Sequence, residues 1–420
     1  MSKHARDRRP HLRPVTRIEL SEENIRIRWI LIAVFLSIAV VSIGMGLYGF
    51  LNTQPGWNEV TVTSDQPNCG TEFTLMYDFS DAGGNASAVN KSLTELYSGA
   101  AEKAYKLFSP DVTEEGLHNL AYLNAHVNEV VTVEETLYQA FALLAEYENR
   151  LVYLAPVYRE YDRIFRSESD MEAENYDPAK NSEVMAYISE LVTYSSDPER
   201  IDLELLGDNQ IRLNVAEKYL AFAQENGIEA FLDFGWMKNA FVADYLAENL
   251  SQQGFTNGYL ASYDGFTRNL DTRGKEFTFH VFDREGISVY MPAMAGYSSP
   301  LSIVYLRDYP METLDRWRYY AYENGEIATA LIDPTDGVSK AAVSDLVSYS
   351  QNMGCADILM ALIPLYLTEE LETDAVKTLR EAGIHSIWCR ERTLYHTDSA
   401  IALQLMPDDA GKYYEKTLIE

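Results

Sequence analysis

The sequence predicts an α+β domain behind a single N-terminal transmembrane helix. Three observations predict it. Residues Trp29–Leu51 form a run of 23 residues without a charged side chain. The chain beyond them mixes strand-period and helix-period segments. Those segments do not alternate strictly as a parallel βαβ sheet requires.

The apolar run comes first because it decides how the rest is read. A helix needs about 20 apolar residues to cross a bilayer, whereas the apolar part of a cleaved signal peptide spans only about 7 to 15. No small-x-small cleavage site or lipobox cysteine follows Leu51, so the run reads as a retained anchor. Lys3, Arg6, Arg8, Arg9, Arg13, Arg17, Arg26 and Arg28 precede it, which keeps residues 1–28 in the cytoplasm as a loose basic tail. Residues 52–420 are then extracytoplasmic. Removing the tail's eight bases and four acids from the 34 and 64 of the whole chain leaves 26 and 60, a net charge of −34. So acidic a domain excludes nucleic acid and an anionic lipid surface as partners. Membrane lipid is met only through the one helix. Cys69, Cys355 and Cys389 are odd in number and lack metal-ligand spacing, so neither disulfide stapling nor a zinc site is expected.

In chain order, Phe73, Leu75, Tyr77 and Phe79 alternate with polar or smaller neighbours and predict a strand. Asp81–Asn85 is a turn. Val89, Leu93, Leu96, Ala100, Ala104 and Leu107 recur at helical spacing. Thr132 and Glu135 read as a capping box ahead of a helix to about Tyr147. Arg166–Pro178 is acidic and loop-like, the start of an acidic insertion over about 166–200. Helices are expected at Ala179–Tyr194 and Ala216–Asn226. A strand at Ile228–Leu232 then leads through Asp233-Phe234-Gly235 into a helix at Met237–Gln253, stopped by Gly254. Phe277, Phe279 and Val281 mark a strand with a hairpin partner at Ile287–Met291. A helix at Leu314–Tyr322, a strand at Ile327–Ile332, a turn over Asp333–Gly337 and a helix at Ala356–Leu367 follow. Short strands at Ile384–Cys389 and Ala400–Leu405 end the chain.

No nucleophile motif, Walker loop, zinc spacing or dinucleotide fingerprint occurs, and the histidines are scattered. Three places carry candidate chemistry. Asp233-Phe234-Gly235 is either an anion-binding helix start or a turn with a capping aspartate. Asp333-Pro334-Thr335-Asp336-Gly337 has the composition of a tight turn. Asp357, at a helix start, offers an oxygen ligand to a hard cation or else a cap.

Together these three sites resemble the ApbE-type FAD:protein FMN transferases. The family reads roughly Asp-Leu-Gly-Gly-Ile-Ala-Lys-Gly-Tyr-Ala-x-Asp where this chain runs without a gap from Asp233 to Asp244. Its His-Ile-Ile-Asp-Pro-x-Thr-Gly is similar to Ala330–Gly337, and its Ala-Asp-x-x-x-Thr helix start to Ala356–Ala361. Cys69-Gly70-Thr71, Phe108-Ser109 and Leu123-Asn124 stand where the family has its earlier landmarks, so the likeness spans about residues 57–406.

The resemblance implies a T-fold-like α+β architecture and transfer of FMN from FAD to a threonine hydroxyl of a protein substrate. It also implies dependence on Mg²⁺ and a place outside the cytoplasmic membrane. Flavin-binding positions then fall on Asp233, Gly235, Asn239, Ile332 and Asp333, and metal positions on Asp357, Trp236 and Ala361. Asp233, Asp333 and Asp357 are expected around one cleft. Several substitutions stand against catalysis. The family lysine falls on Asn239 and the metal hydroxyl on Ala361. The turn histidine is absent, and the Gly-Gly-Asn/Asp loop is reduced to Tyr263-Asp264-Gly265. The alternative reading is therefore a non-catalytic ApbE-like ectodomain that binds flavin, a partner protein or an envelope component.

Overall fold

The structure, a computed structural model, describes residues 55–420 apart from 67, 312–314, 316 and 409. The basic tail and the expected span at 29–51 lie outside the described residues. Among those described, no helix is long and apolar enough to cross a membrane.

A nine-stranded sheet is the frame. Its strands are Trp57–Val60, Phe73–Asp78, Gly258–Ser262, Phe266–Asn269, Leu301–Arg307, Asp345–Ser350, His385–Arg390, Thr393–His396 and Glu415–Leu418. They lie side by side in that order. All neighbours are antiparallel except the last two, which run parallel. The period of two sorts the side chains onto two faces. Val304, Leu306, Leu346 and Trp388 join the larger core, under the helices Ala86–Leu107, Lys238–Gln252 and Cys355–Tyr366. Ile303, Val347 and Ile387 point the other way, into a second core with Phe279, Val281 and Ala295. That core is closed by a small sheet of Phe277–Glu285, Ser288–Tyr297 and Ala402–Leu405. The α+β class follows.

Several expectations are corrected. Ile228–Leu232 forms no strand, and a side chain takes the backbone groups at its end. Asn124 Oδ1 accepts from the amides of Phe231 and Leu232 at 3.0 and 2.9 Å, and Asn124 Nδ2 donates to the Leu232 carbonyl at 2.9 Å. The capping box does not form. Thr132 ends the strand Val130–Thr132, and the helix Glu135–Glu146 starts without a side-chain cap.

The acidic stretch after Arg166 is not a loop but holds the helix Asp170–Tyr176, capped by Ser169. Asp170 and Glu172 in its first turn suit the positive end of the helix dipole. Its acids are used structurally, since Asp170 accepts from the Tyr320 hydroxyl at 3.0 Å and Asp177 from the Tyr322 hydroxyl at 2.7 Å. Tyr320 lies in the strand Tyr319–Ala321, which pairs with Ile327–Thr329, and Tyr322 follows it, so a strand stands at 319–321 where a helix over Leu314–Tyr322 was expected. A second hairpin, Ile201–Gly207 with Gln210–Val215, was not foreseen.

Candidate functional site

Asp233 turns the chain out of the extended run. Its Oδ1 accepts from the Gly235 amide at 2.8 Å, and its own amide donates to the Val152 carbonyl at 2.9 Å. Gly235 has φ +52° and opens a short 3-10 turn, Gly235–Met237, that feeds the helix Lys238–Gln252. A glycine here could leave the backbone open to close approach. Here it is covered. A Cβ at position 235 would lie 2.6 Å from the ring of Tyr158.

Tyr158 comes from the helix Ala155–Phe165, started by Pro156 in its first turn. Tyr158, Tyr161, Asp162 and Phe165 fall at the spacing that shares one helical face, and all four line the same cavity as Asp233 and Gly235. Both tyrosines are anchored by their hydroxyls. Tyr158 donates to the Leu151 carbonyl and Tyr161 to the Gly337 carbonyl, each at 2.9 Å. One helix thus ties the turn at 233–235 to the turn at 333–337 and fills the space between.

What remains is a cavity of about 190 Å³. Pockets for drug-sized ligands run roughly 300–1,000 Å³, so this one takes something smaller. Asn239 and Trp236 line it, as do Lys238, Glu72, Tyr263, Asp264 and Arg318. Asn239 Nδ2 donates to Asp264 Oδ2 at 3.0 Å, so the two positions that depart from the family meet face to face. Each of its three cations is committed. Lys238 pairs with Glu72 at 2.8 Å, Arg159 with Asp111 at 2.7 Å, and Arg318 with Asp315 and Asp264 at 3.3 and 3.6 Å. Burial pushes the Asp233 carboxyl up to about 6, against the Gly235 amide and the Lys238 charge. Burial raises the Asp264 carboxyl as well, with Arg318 opposing it. Trp236 Nε1, Asn239 Oδ1, Asp264 Oδ1 and Arg318 Nε are buried without a hydrogen-bond partner. Leaving such a group unmade costs about 1–3 kcal/mol.

The other sequence-predicted residues lie elsewhere. Ile332 is fully buried in the core, and it is Ala330 that reaches the cavity. Asp333 lines a different cavity, of about 470 Å³, with Pro334, Ile363 and Leu367. Its carboxylate holds its own turn: Oδ1 accepts from the Thr335 amide and hydroxyl at 2.8 and 2.7 Å, and Oδ2 from Lys340 at 2.6 Å. Burial works to raise this carboxyl, yet Lys340 and Thr335 outweigh it and hold it below the usual carboxylate range.

Asp357 lines a third and larger cavity, of about 650 Å³, with Asp244 and Glu248. The cap of its helix comes from Asp244, whose two oxygens accept from the Cys355 and Ala356 amides at 2.8 Å each. Asp244 also pairs with Arg268. Asp233, Asp333 and Asp357 each line a different cavity.

The residues present do not fit Mg²⁺. Ala361 has no side-chain oxygen, and Trp236 and Asp357 line different cavities. No group of three or more His, Cys, Asp or Glu side chains among the described residues is placed to hold a metal. Nor does the cavity beside Gly235 fit FAD, being small and occupied by Tyr158.

Sequence reading missed Tyr158, Tyr161 and Arg318. The tyrosines show only helical periodicity, and Arg318 lay in a segment read as helix.

The sequence matches no protein-family model and no curated protein. The backbone is similar to that of the ApbE protein from Thermotoga maritima, with a TM-score of 0.52 at 14% identity, over 86% of this chain and 100% of that one. A mutant of the flavin transferase ApbE from Vibrio cholerae superposes at 0.47 with 14% identity, over 79% of this chain and 93% of that one. The apo flavinyl transferase ApbE from Pseudomonas stutzeri does so at 0.48 with 12% identity, over 83% and 96%.

Proposed function

From the ApbE fold that the Thermotoga maritima likeness shows, we propose that this chain is a membrane-anchored, extracytoplasmic ApbE-fold protein that does not transfer FMN. Its exterior domain is a non-catalytic binding module. One observation carries this: the Tyr158 ring covers Gly235, where the resemblance puts an approaching flavin nucleotide. Moving a flavin phosphoryl group requires cations to neutralise a pyrophosphate. Lys238, Arg159 and Arg318 are all held by carboxylates, and Asn239 brings no charge. The −34 charge of residues 52–420 further disfavours an anionic nucleotide.

The full-length protein in detergent, mixed with FAD and Mg²⁺, is expected to release no AMP or FMN and to label no acceptor threonine. Mg²⁺-dependent FAD cleavage that Asp357→Ala abolishes would make the protein an enzyme and overturn the reading.

The anchor and its direction rest on Trp29–Leu51 and the eight bases before it. Protease added to intact cells is expected to remove the chain beyond Asn52 and leave a small membrane-bound stub. Protection of the C-terminal region would reverse the orientation.

A further inference from the structure

Between the nine-stranded sheet and the small sheet, the carboxylates of Asp283, Asp308 and Asp345 share two guanidiniums, those of Arg284 and Arg307. Asp345 is 2% exposed and opens the strand Asp345–Ser350 inside the larger sheet. By the period of two it shares a side with Val347, which packs into the second core. Asp283, in the strand Phe277–Glu285 of the small sheet, is buried too. It accepts from the Ser344 and Tyr414 hydroxyls at 3.2 and 2.9 Å. Asp308 takes both arms of Arg284, at 3.0 and 2.7 Å. Arg307 stands opposite Asp345 across the strands, but its Nε stays 4.0 Å from the carboxylate. The Tyr309 hydroxyl donates to Asp345 Oδ2 at 3.0 Å, while Oδ1 has no hydrogen-bond partner among the described residues. Tyr305, Tyr366 and Cys389, from the other elements around it, bring no positive charge.

A carboxylate this far from water, with one oxygen unmatched and a second buried carboxylate nearby, neutralises rather than stays charged. We propose that this layer is a pH-sensitive joint, held together by a proton on Asp345, so that the folded domain weakens as the pH rises. The electrostatics agree with the geometry. Burial pushes the Asp345 carboxyl up to about 7, against the Arg307 charge and the Tyr309 hydroxyl, and Asp283 and Asp308 add to the rise. In an unfolded chain the same group loses its proton near the ordinary value of about 3.9. Between those values the folded chain holds a proton that the unfolded chain has lost. The stabilisation is therefore complete below about pH 4 and is lost as the pH rises through about 7. Outside the cytoplasmic membrane, where the domain is proposed to lie, the joint meets the pH of the surroundings directly.

The test is urea unfolding of the full-length protein in detergent from about pH 5 to about pH 8, beside Asp345→Asn. The asparagine keeps the shape of the protonated acid and cannot ionise. Other groups titrate alike in both proteins, so the difference between them isolates position 345. Relative to the variant, the folding equilibrium constant of the unmodified chain is expected to fall at least about tenfold over this range, as one proton is released. The same pH dependence in both would mean that Asp345 holds no proton in the folded chain, and would overturn the inference. Tyr309→Phe removes the hydroxyl that favours the ionised carboxylate, and is expected to extend the fall to higher pH. Should Asp345→Asn not fold, this second variant decides: a fall over an unchanged or lower pH range would overturn the inference as well.

Discussion

Gly235→Ala is expected to destabilise the exterior domain by about 2–5 kcal/mol, read as a lower midpoint at unchanged slope in urea unfolding. Two causes add. An L-residue at the glycine's φ of +52° carries about 1–2 kcal/mol of backbone strain. Its Cβ would also stand 2.6 Å from the Tyr158 ring, and overpacking of that kind costs about 1–3 kcal/mol. The two separate in a double-mutant cycle. In a Tyr158→Ala background the steric part vanishes, and Gly235→Ala should then cost only the strain. An equal cost in both backgrounds would mean that the ring does not rest on the glycine.

Asp244→Ala is expected to be the most damaging of the aspartate substitutions, at about 3–5 kcal/mol. It removes the acceptor for the Cys355 and Ala356 amides at the start of their helix. It also strands Arg268, whose guanidinium is largely buried against that carboxylate. Gly354 packs so closely that a Cβ there would lie 2.4 Å from Asp244, leaving no room for another cap. Asp357→Ala, at the third residue of the same helix, should cost less than about 1 kcal/mol, the loss of a helix-dipole interaction. Thermal or urea unfolding of both variants checks the contrast. Comparable losses would mean that Asp357, not Asp244, holds the helix end.

Much of the frame was legible in the sequence because it depends on local signals. The alternation at Phe73–Asp78, the helical spacing over Ala86–Leu107 and the turn chemistry at 233–235 and 333–337 all stand as read. The ordered landmarks also pointed to the ApbE fold. The errors arose where a long-range partner decided the outcome. Ile228–Leu232 has the composition of a strand, but Asn124, more than 100 residues away in sequence, takes its hydrogen bonds. The acids after Arg166 look solvated, yet Ser169 caps a helix there and Asp170 and Asp177 hold tyrosines of the hairpin region.

The site was harder to read for the same reason. Val157, Tyr158, Tyr161, Ile164 and Phe165 announce a helix with an apolar face, but not that this face lies over Gly235. Matching Asp333 and Asp357 to family positions could not reveal that Lys340 neutralises one while Asp244 caps the helix of the other. The motif order survives.

The central claim, that the chain's own helix closes the flavin cleft, is tested most directly by titrating full-length protein in detergent into FAD and following flavin fluorescence. The account predicts no saturable change with or without Mg²⁺, because Tyr158 occupies the approach to Gly235. Saturable quenching by the unmodified protein, weakened by substitutions at Asp233 or Asn239, would contradict it.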